Sequence, residues 1–168
     1  LAPLEPGTRA LVLGLGRTGL SSARYLDRRG LEVRVADTRS APPGLAALRE
    51  QVPRADIRTG AFGSALLDGV AQVVITPGLS LREPVATEAL SRGLPVVGDI
   101  ELFAREARAP VAAITGTNGK STVTALLAET FPGAAVIGAD PSEQLIESAR
   151  TAFPDRRVSF VRLDGFGA

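Results

Sequence analysis

The stretch that decides the fold is "RALVLGLGRTGLSSARYLDRRGLEVRVAD", Arg9–Asp37. It opens on a short apolar run that ends at Gly14. A glycine-spaced loop follows, Gly14-x-Gly16-x-x-Gly19. In "GLSSARYLDRRG", Gly19–Gly30, apolar residues then recur at helix spacing up to a glycine stop. "LEVRVAD", Leu31–Asp37, alternates as a strand. A glycine loop between a strand and a helix is the context in which this spacing carries chemical meaning. The glycines permit a tight turn and close backbone approach, and the helix N-terminus offers free N–H groups to an anion such as a pyrophosphate. Asp37 closes the second strand about twenty residues on, where a dinucleotide-binding fold puts its ribose acid. Spacing alone therefore allows an NAD site. It also allows glycines that serve only the turn and the helix–strand packing, and an acid that serves only a turn.

Outward from this unit the alternation continues. "PPGLAALREQV" reads as a short helix entered through proline, "ADIRTG" as a weak strand and "AQVVITPG", Ala71–Gly78, as a strong one. "REPVATEALSRG" is a helix with a glycine stop, "LPVVG" a strand and "DIELFAREA" a helix. "APVAAITG" is a further buried strand, followed by a second glycine loop and the helix "STVTALLAET". "AAVIGAD", "PSEQLIESARTAF" and "RVSFVRLD" read as strand, helix, strand. The pattern predicts an α/β fold: a Rossmann-like parallel sheet unit, then a partial P-loop-type α/β unit, with helices on both sheet faces. The boundary is expected near "REARAP", Arg105–Pro110, giving domains 1–108 and 109–168. "ITPGLS", Ile75–Ser80, ends a strand with Pro-Gly; it is either an ordinary turn or part of the ligand-binding sheet edge.

The 168 residues are enough to bury a sizeable core, and 45% hydrophobic with 22% charged residues is ordinary for a soluble globular protein. No apolar run is long enough to cross a bilayer, and "LAPLEPGTRA" lacks the charged and apolar regions of a signal peptide. The absent initiating Met points to a processed or cut start. A net charge of +1 gives no general pull toward nucleic acid or membrane. Without Cys or His, these residues hold no disulfide, thiolate nucleophile, histidine base or histidine metal ligand.

The second loop is "TGTNGKST", Thr115–Thr122. It contains Lys120, the single lysine beside 18 arginines, and Asn118, the single asparagine. It departs from the usual P-loop spacing, because Ile114 stands where the first glycine would be; Gly116-x-x-Gly119-Lys120-Ser121 remains. The chemistry still holds. A glycine loop makes a nest of N–H groups for phosphate oxygens. Lys120 brings a compact charge to the β- and γ-phosphates, and Ser121 brings a hydroxyl to a phosphate-bound Mg²⁺. The planar fork of arginine does not fit that cradle in the same way, which is a reason for the one lysine to stand here.

With both loops placed, the chain resembles the Mur ligases of peptidoglycan synthesis, and among them the branch that adds D-glutamate. The residues that carry this are "GLGRTGLS", "VADTRSAPPGL", "ITPGLSL", "GLPVVGDIELFAREA" and "AITGTNGKSTVTALL", in that order over about Arg9–Leu127. Folylpolyglutamate synthetases share the short P-loop but not the N-terminal half. The resemblance replaces the NAD reading. It implies that domain 1–108 binds the UDP end of UDP-N-acetylmuramoyl-L-alanine. Gly16, Arg17 and Thr18 would then meet the diphosphate and uridine side. Asp37, Thr38 and Arg39 would face the uracil and ribose, with Gly78 in the same cleft. It implies ATP and Mg²⁺ at Gly116, Thr117, Asn118, Gly119, Lys120, Ser121 and Thr122, with Lys120 catalytic on the phosphates and Ser121 toward the metal. The family phosphorylates the substrate carboxylate to an acyl phosphate, which the D-glutamate amine attacks, in the cytoplasm.

Past about Leu127 the family pattern stops. The family's further Mg²⁺ ligands, adenine pocket and amino-acid-binding domain are not in these residues. Turnover by this chain alone is therefore not expected, nor use of D-glutamate without the domain that binds it. "LLAETFPGAAVIGADPSEQLIESARTAFPDRRVSFVRLDG" resembles instead a strand–helix–strand segment of class I S-adenosylmethionine methyltransferases. That resemblance implies Asp140 on a cofactor ribose and Asp164 near an adenine. The glycine loop that precedes this segment in that family is absent. Segment 109–168 is thus expected to be a truncated or chimeric unit, and a methyltransferase-like module or an inactive scaffold stands as the alternative.

Overall fold

Strand β1 (Arg9–Leu13) sits at the centre of a sheet because it is apolar on both sides. Ala10 and Val12 point into one core layer; Leu11 and Leu13 point into the other, and all four are fully buried. Alternating side chains that are apolar in both directions are what a strand covered by helices on both faces requires. The computed structural model describes residues 5–108, 114, 120–131, 133, 136–140, 147, 150–151 and 158–162. The chain divides into two compact units, Leu1–Arg108 and Ala109–Ala168.

In the first unit β1 is followed by α1 (Arg17–Arg28), β2 (Glu32–Asp37), α2 (Leu45–Gln51), β3 (Asp56–Thr59), β4 (Val70–Ile75), α3 (Pro84–Ser91), β5 (Val96–Val97) and α4 (Asp99–Glu106). A single 3-10 turn, Ser64–Leu67, lies between β3 and β4. The five strands are all parallel, in the order β3-β2-β1-β4-β5. The chain builds outward from β1 in one direction through β2 and β3, then returns to the other side of β1 with β4. The loops after β1 and β4 therefore diverge at their C-terminal ends, which opens a crevice at this switch point.

The two core layers follow the helices. Leu20, Ala23 and Leu26 of α1, Leu48 of α2 and Leu102 of α4 pack on one sheet face with Val33, Val35 and Val74. Val85, Ala86 and Ala89 of α3 and Leu67 of the 3-10 turn pack on the other, with Val73 and Ile75. The expected helix at Gly19–Gly30 begins two residues earlier, at Arg17, because the glycine loop itself winds into the first turn. The "PPGL" helix begins only at Leu45, after both prolines and Gly44. "LPVVG" keeps two residues of strand.

One polar side chain enters the second layer. Arg34 of β2 is 7% exposed. Its Nε donates to Asp56 Oδ2 at 2.8 Å, and its Nη1 donates to the carbonyl oxygens of Leu66 at 2.8 Å and Asp68 at 3.2 Å. A cation placed on the last carbonyls of the 3-10 turn satisfies acceptors that have no partner within the turn.

In the second unit α5 (Lys120–Thr130) buries Ala128 and exposes Val123 and Leu126. β6 (Val136–Asp140) pairs in parallel with β7 (Val158–Arg162). Asp140 closes β6, as expected for a strand-end acid. Gly116, Thr117, Asn118, Gly119, Asp164 and nearly all of the expected "APVAAITG" strand and "PSEQLIESARTAF" helix lie outside the described residues. Among the described residues no helix is long and apolar enough to cross a membrane.

Replacing Arg34 with Ala removes the donor to the Leu66 and Asp68 carbonyls and leaves Asp56 with Arg58 alone. The expected loss is roughly 2–3 kcal/mol of unfolding free energy, read from urea denaturation. A change within experimental error would show that Arg34 does not hold the 3-10 turn to the sheet.

Candidate functional site

The switch-point crevice is a cleft of about 340 Å³ at the C-terminal edge of the first unit's sheet. Four separate stretches build it: the loop from β1 into α1, the end of β2, Phe62 beyond β3, and the turn after β4. Gly16, Arg17, Thr18, Asp37, Thr38, Arg39 and Gly78, the seven residues expected on a nucleotide substrate, all line it.

The glycines divide into two groups. Gly14 has φ +90, a conformation that L side chains rarely adopt. A Cβ there would also collide with Thr76 Oγ1. A Cβ on Gly19 would collide with the carbonyl oxygen of Gly14. These two serve the turn and the packing of α1 on the strand end. Gly16 and Gly78 differ: neither has a positive φ, and a Cβ added to either meets nothing within 4 Å. The fold gives no steric reason for glycine at these two cleft positions.

Gly16 is the N-cap of α1, in extended backbone, and no side chain caps the first turn. The first N–H groups of that turn have no intrahelical acceptor, and the residues that carry them line the cleft. Arg17 adds an exposed guanidinium at the same place, where it adds to the positive end of the helix dipole. A cation at a helix N-terminus is unfavourable for the isolated helix, and an anion held between the two reverses the sign.

Asp37 is buried at the end of β2, and its carboxylate accepts from four donors. Oδ2 accepts from the Leu15 N–H at 2.7 Å and from Arg39 Nη2 at 2.7 Å. Oδ1 accepts from the Arg39 N–H at 2.9 Å and from Arg39 Nε at 2.8 Å. The Arg39 guanidinium first, and then the N–H groups of Leu15 and Arg39, hold the carboxyl well below the usual carboxylate range in spite of burial. A carboxylate has about four lone-pair sites. With four donors on it, Asp37 fixes the first loop and the Arg39 side chain.

Four lining residues were not singled out by sequence: Phe62, Thr76, Pro77 and Leu79. Thr76, Pro77 and Leu79 lie inside "ITPGLS", so the motif marks their loop, with Gly78 as its expected cleft residue. Phe62 follows the weak strand β3 and carries no motif at all.

In the second unit, Lys120, Ser121 and Thr122 form the first turn of α5, and Thr122 is exposed. This is the helix end at which the expected phosphate and metal contacts would be made. Among the described residues no cluster of three or more acidic side chains is placed to hold a metal ion.

A doubly wound parallel sheet with an uncapped helix N-terminus and a glycine loop at its switch point defines a Rossmann-like fold. Residues 8–98, more than half of the chain, match the family described as Mur ligase MurD-like, N-terminal domain, and the chain belongs to that family. It is similar to the UDP-N-acetylmuramoylalanine--D-glutamate ligase of Nitrosococcus oceani, 57% identical over 127 residues, covering 74% of this chain and 28% of the relative. The ligase of the same name from Pseudomonas aeruginosa is 50% identical over 119 residues, covering 71% and 27%. The chain thus spans about 28% of the length of the curated relatives it matches. A pseudomurein peptide ligase type C from Methanothermus fervidus has a similar fold, with TM-score 0.53 at 21% identity over 94% of this chain and 33% of that one.

Two substitutions separate packing from charge here. Gly19→Ala is expected to cost about 3 kcal/mol, the upper end of overpacking, because the obstructing atom is backbone. Asp37→Asn is expected to cost roughly 2 kcal/mol at neutral pH. The folded-state pKa of Asp37 is depressed, so its contribution is complete above the unfolded carboxyl's value of about 4 and is lost as pH falls through the folded value. The stability gap between wild type and Asp37→Asn should therefore be constant near neutrality and close in acid. A gap that stays unchanged below pH 4 in denaturant titrations would contradict this.

Proposed function

We propose that this chain is the substrate-binding and ATP-binding part of an ATP-dependent ligase that joins D-glutamate to UDP-N-acetylmuramoyl-L-alanine. One observation carries the reading: seven residues from three separate stretches converge on one cleft around an uncapped helix N-terminus. The relatives' activity, joining D-glutamate to UDP-N-acetylmuramoylalanine, supports the substrate class.

In this reading the first unit holds the UDP end of the muramoyl substrate. The first-turn N–H groups of α1, with Arg17 and Thr18, take the diphosphate oxygens. Gly16 lets those oxygens approach the backbone, which explains a glycine that packing does not require. Asp37 orients Arg39 and the loop at Leu15 toward the uridine, and Thr38 and Gly78 line the same cleft.

The loop Gly116-Thr117-Asn118-Gly119 and the start of α5 take ATP·Mg²⁺. Lys120 neutralises charge on the phosphates, and Ser121 faces the metal. ATP, when bound, supplies the phosphoryl group that activates the substrate carboxylate. Lysine serves at position 120 because a compact ammonium fits within a phosphate cradle where a planar guanidinium does not. Nucleotide-activated substrate and ATP place the reaction in the cytoplasm.

Isothermal titration with UDP-N-acetylmuramoyl-L-alanine is expected to give saturable heat; none at millimolar ligand overturns the reading. Gly16→Val is expected to keep the melting temperature within roughly 2 °C, while binding weakens at least about ten-fold. ATP·Mg²⁺ should raise the melting temperature of the wild-type chain. Lys120→Ala and Lys120→Arg should both abolish that shift and leave titration of the muramoyl nucleotide unchanged. A full shift in Lys120→Arg would remove the argument for lysine.

A further inference from the structure

We infer that Phe62 is the stacking wall for the nucleobase in the switch-point cleft and sets its preference for a nucleotide over a bare diphosphate. The inference rests on the nucleotide reading of that cleft.

The cleft has two chemically different ends. At one, the N-terminus of α1 with Gly16, Arg17 and Thr18 offers N–H groups and a cation, which suit phosphate oxygens. The other is built where β2 and β3 leave the sheet side by side. There the Gly60 N–H donates to the Asp37 carbonyl at 3.0 Å, tying the exit of β3 to the exit of β2. Gly60 has φ +105, which turns the chain away from the strand direction. Phe62 comes two residues later and lines the cleft together with Asp37, Thr38 and Arg39.

Phe62 is half-buried. Part of it packs on the core layer that contains Leu11, Leu13 and Ala36, and the rest borders the cleft. The core therefore fixes the ring before any ligand arrives, so little side-chain entropy is lost on stacking. It is the one aromatic residue among those that line this cleft. Nearby, Asp37 holds the Arg39 guanidinium through both Nε and Nη2, so a second planar group is fixed at the same end. Two planar groups beyond an anion-binding end fit a ligand that carries a flat heteroaromatic ring at one end and phosphates at the other.

The test is isothermal titration of the whole chain with UDP and, separately, with inorganic pyrophosphate, which has no base. Phe62→Leu keeps the apolar contact with the core and removes the aromatic face. It is expected to bind UDP about ten-fold more weakly and pyrophosphate as wild type does. Phe62→Trp, which restores an aromatic face, is expected to bind UDP at least as tightly as wild type. Equal UDP affinity in wild type and Phe62→Leu overturns this inference alone. A parallel loss of UDP and pyrophosphate affinity in Phe62→Leu also overturns it, since that marks a general disturbance of the cleft. Wild-type protein that binds pyrophosphate but not UDP overturns the nucleotide reading itself.

Discussion

The Asp37 carboxylate is the constraint on which the cleft depends. One buried anion accepts from the loop after β1, through Leu15, and from the chain after β2, through both backbone and side chain of Arg39. These bonds are charge-assisted, and away from water they are stronger than their neutral counterparts. They fix the relative placement of two loops that are 22 residues apart. In a dinucleotide-binding site an acid at this position is available to a ribose. Here four donors of the protein reach that carboxylate, and the bonds tie the two loops together.

Close packing at the same sheet edge supplies the second constraint. Gly14 turns through positive φ beneath Thr76, and Gly19 lies against the Gly14 carbonyl. Together they bring the N-terminus of α1 close to the end of β1, with no room for a methyl group. Gly16 and Gly78 stand in open space, and that contrast separates glycines demanded by the fold from glycines that leave space for something else. The result is a cleft whose positive end needs an anion: uncapped N–H groups and Arg17 have no acidic side chain of α1's first turn between them. A phosphate group is one anion that would answer this electrostatic demand.

Much of this was legible in the sequence because it rests on local rules. Strand–helix alternation, the glycine stops and the apolar runs each act over a few residues, and the five-stranded parallel unit follows from them. The N-terminus of α1 fell two residues early because a glycine loop and a helix start share residues. The 3-10 turn at Ser64–Leu67 has no periodicity of its own that a sequence could show; Arg34, from a strand thirty residues earlier, holds its carbonyls. Arg34 itself read as one more polar residue on an alternating strand, although it is buried.

The sequence by itself determined the α/β class, the two glycine loops, and the choice of one lysine among 18 arginines. It did so because turn conformation, helix starts and phosphate cradles need particular residue types at particular spacings. Only the tertiary structure decided which glycine is steric and which is open, that four donors reach Asp37, and that Phe62 belongs to the cleft. Those properties depend on atoms brought together from distant parts of the chain. No spacing rule within one segment can state how many donors reach a carboxylate from another, or which ring lies across an empty space.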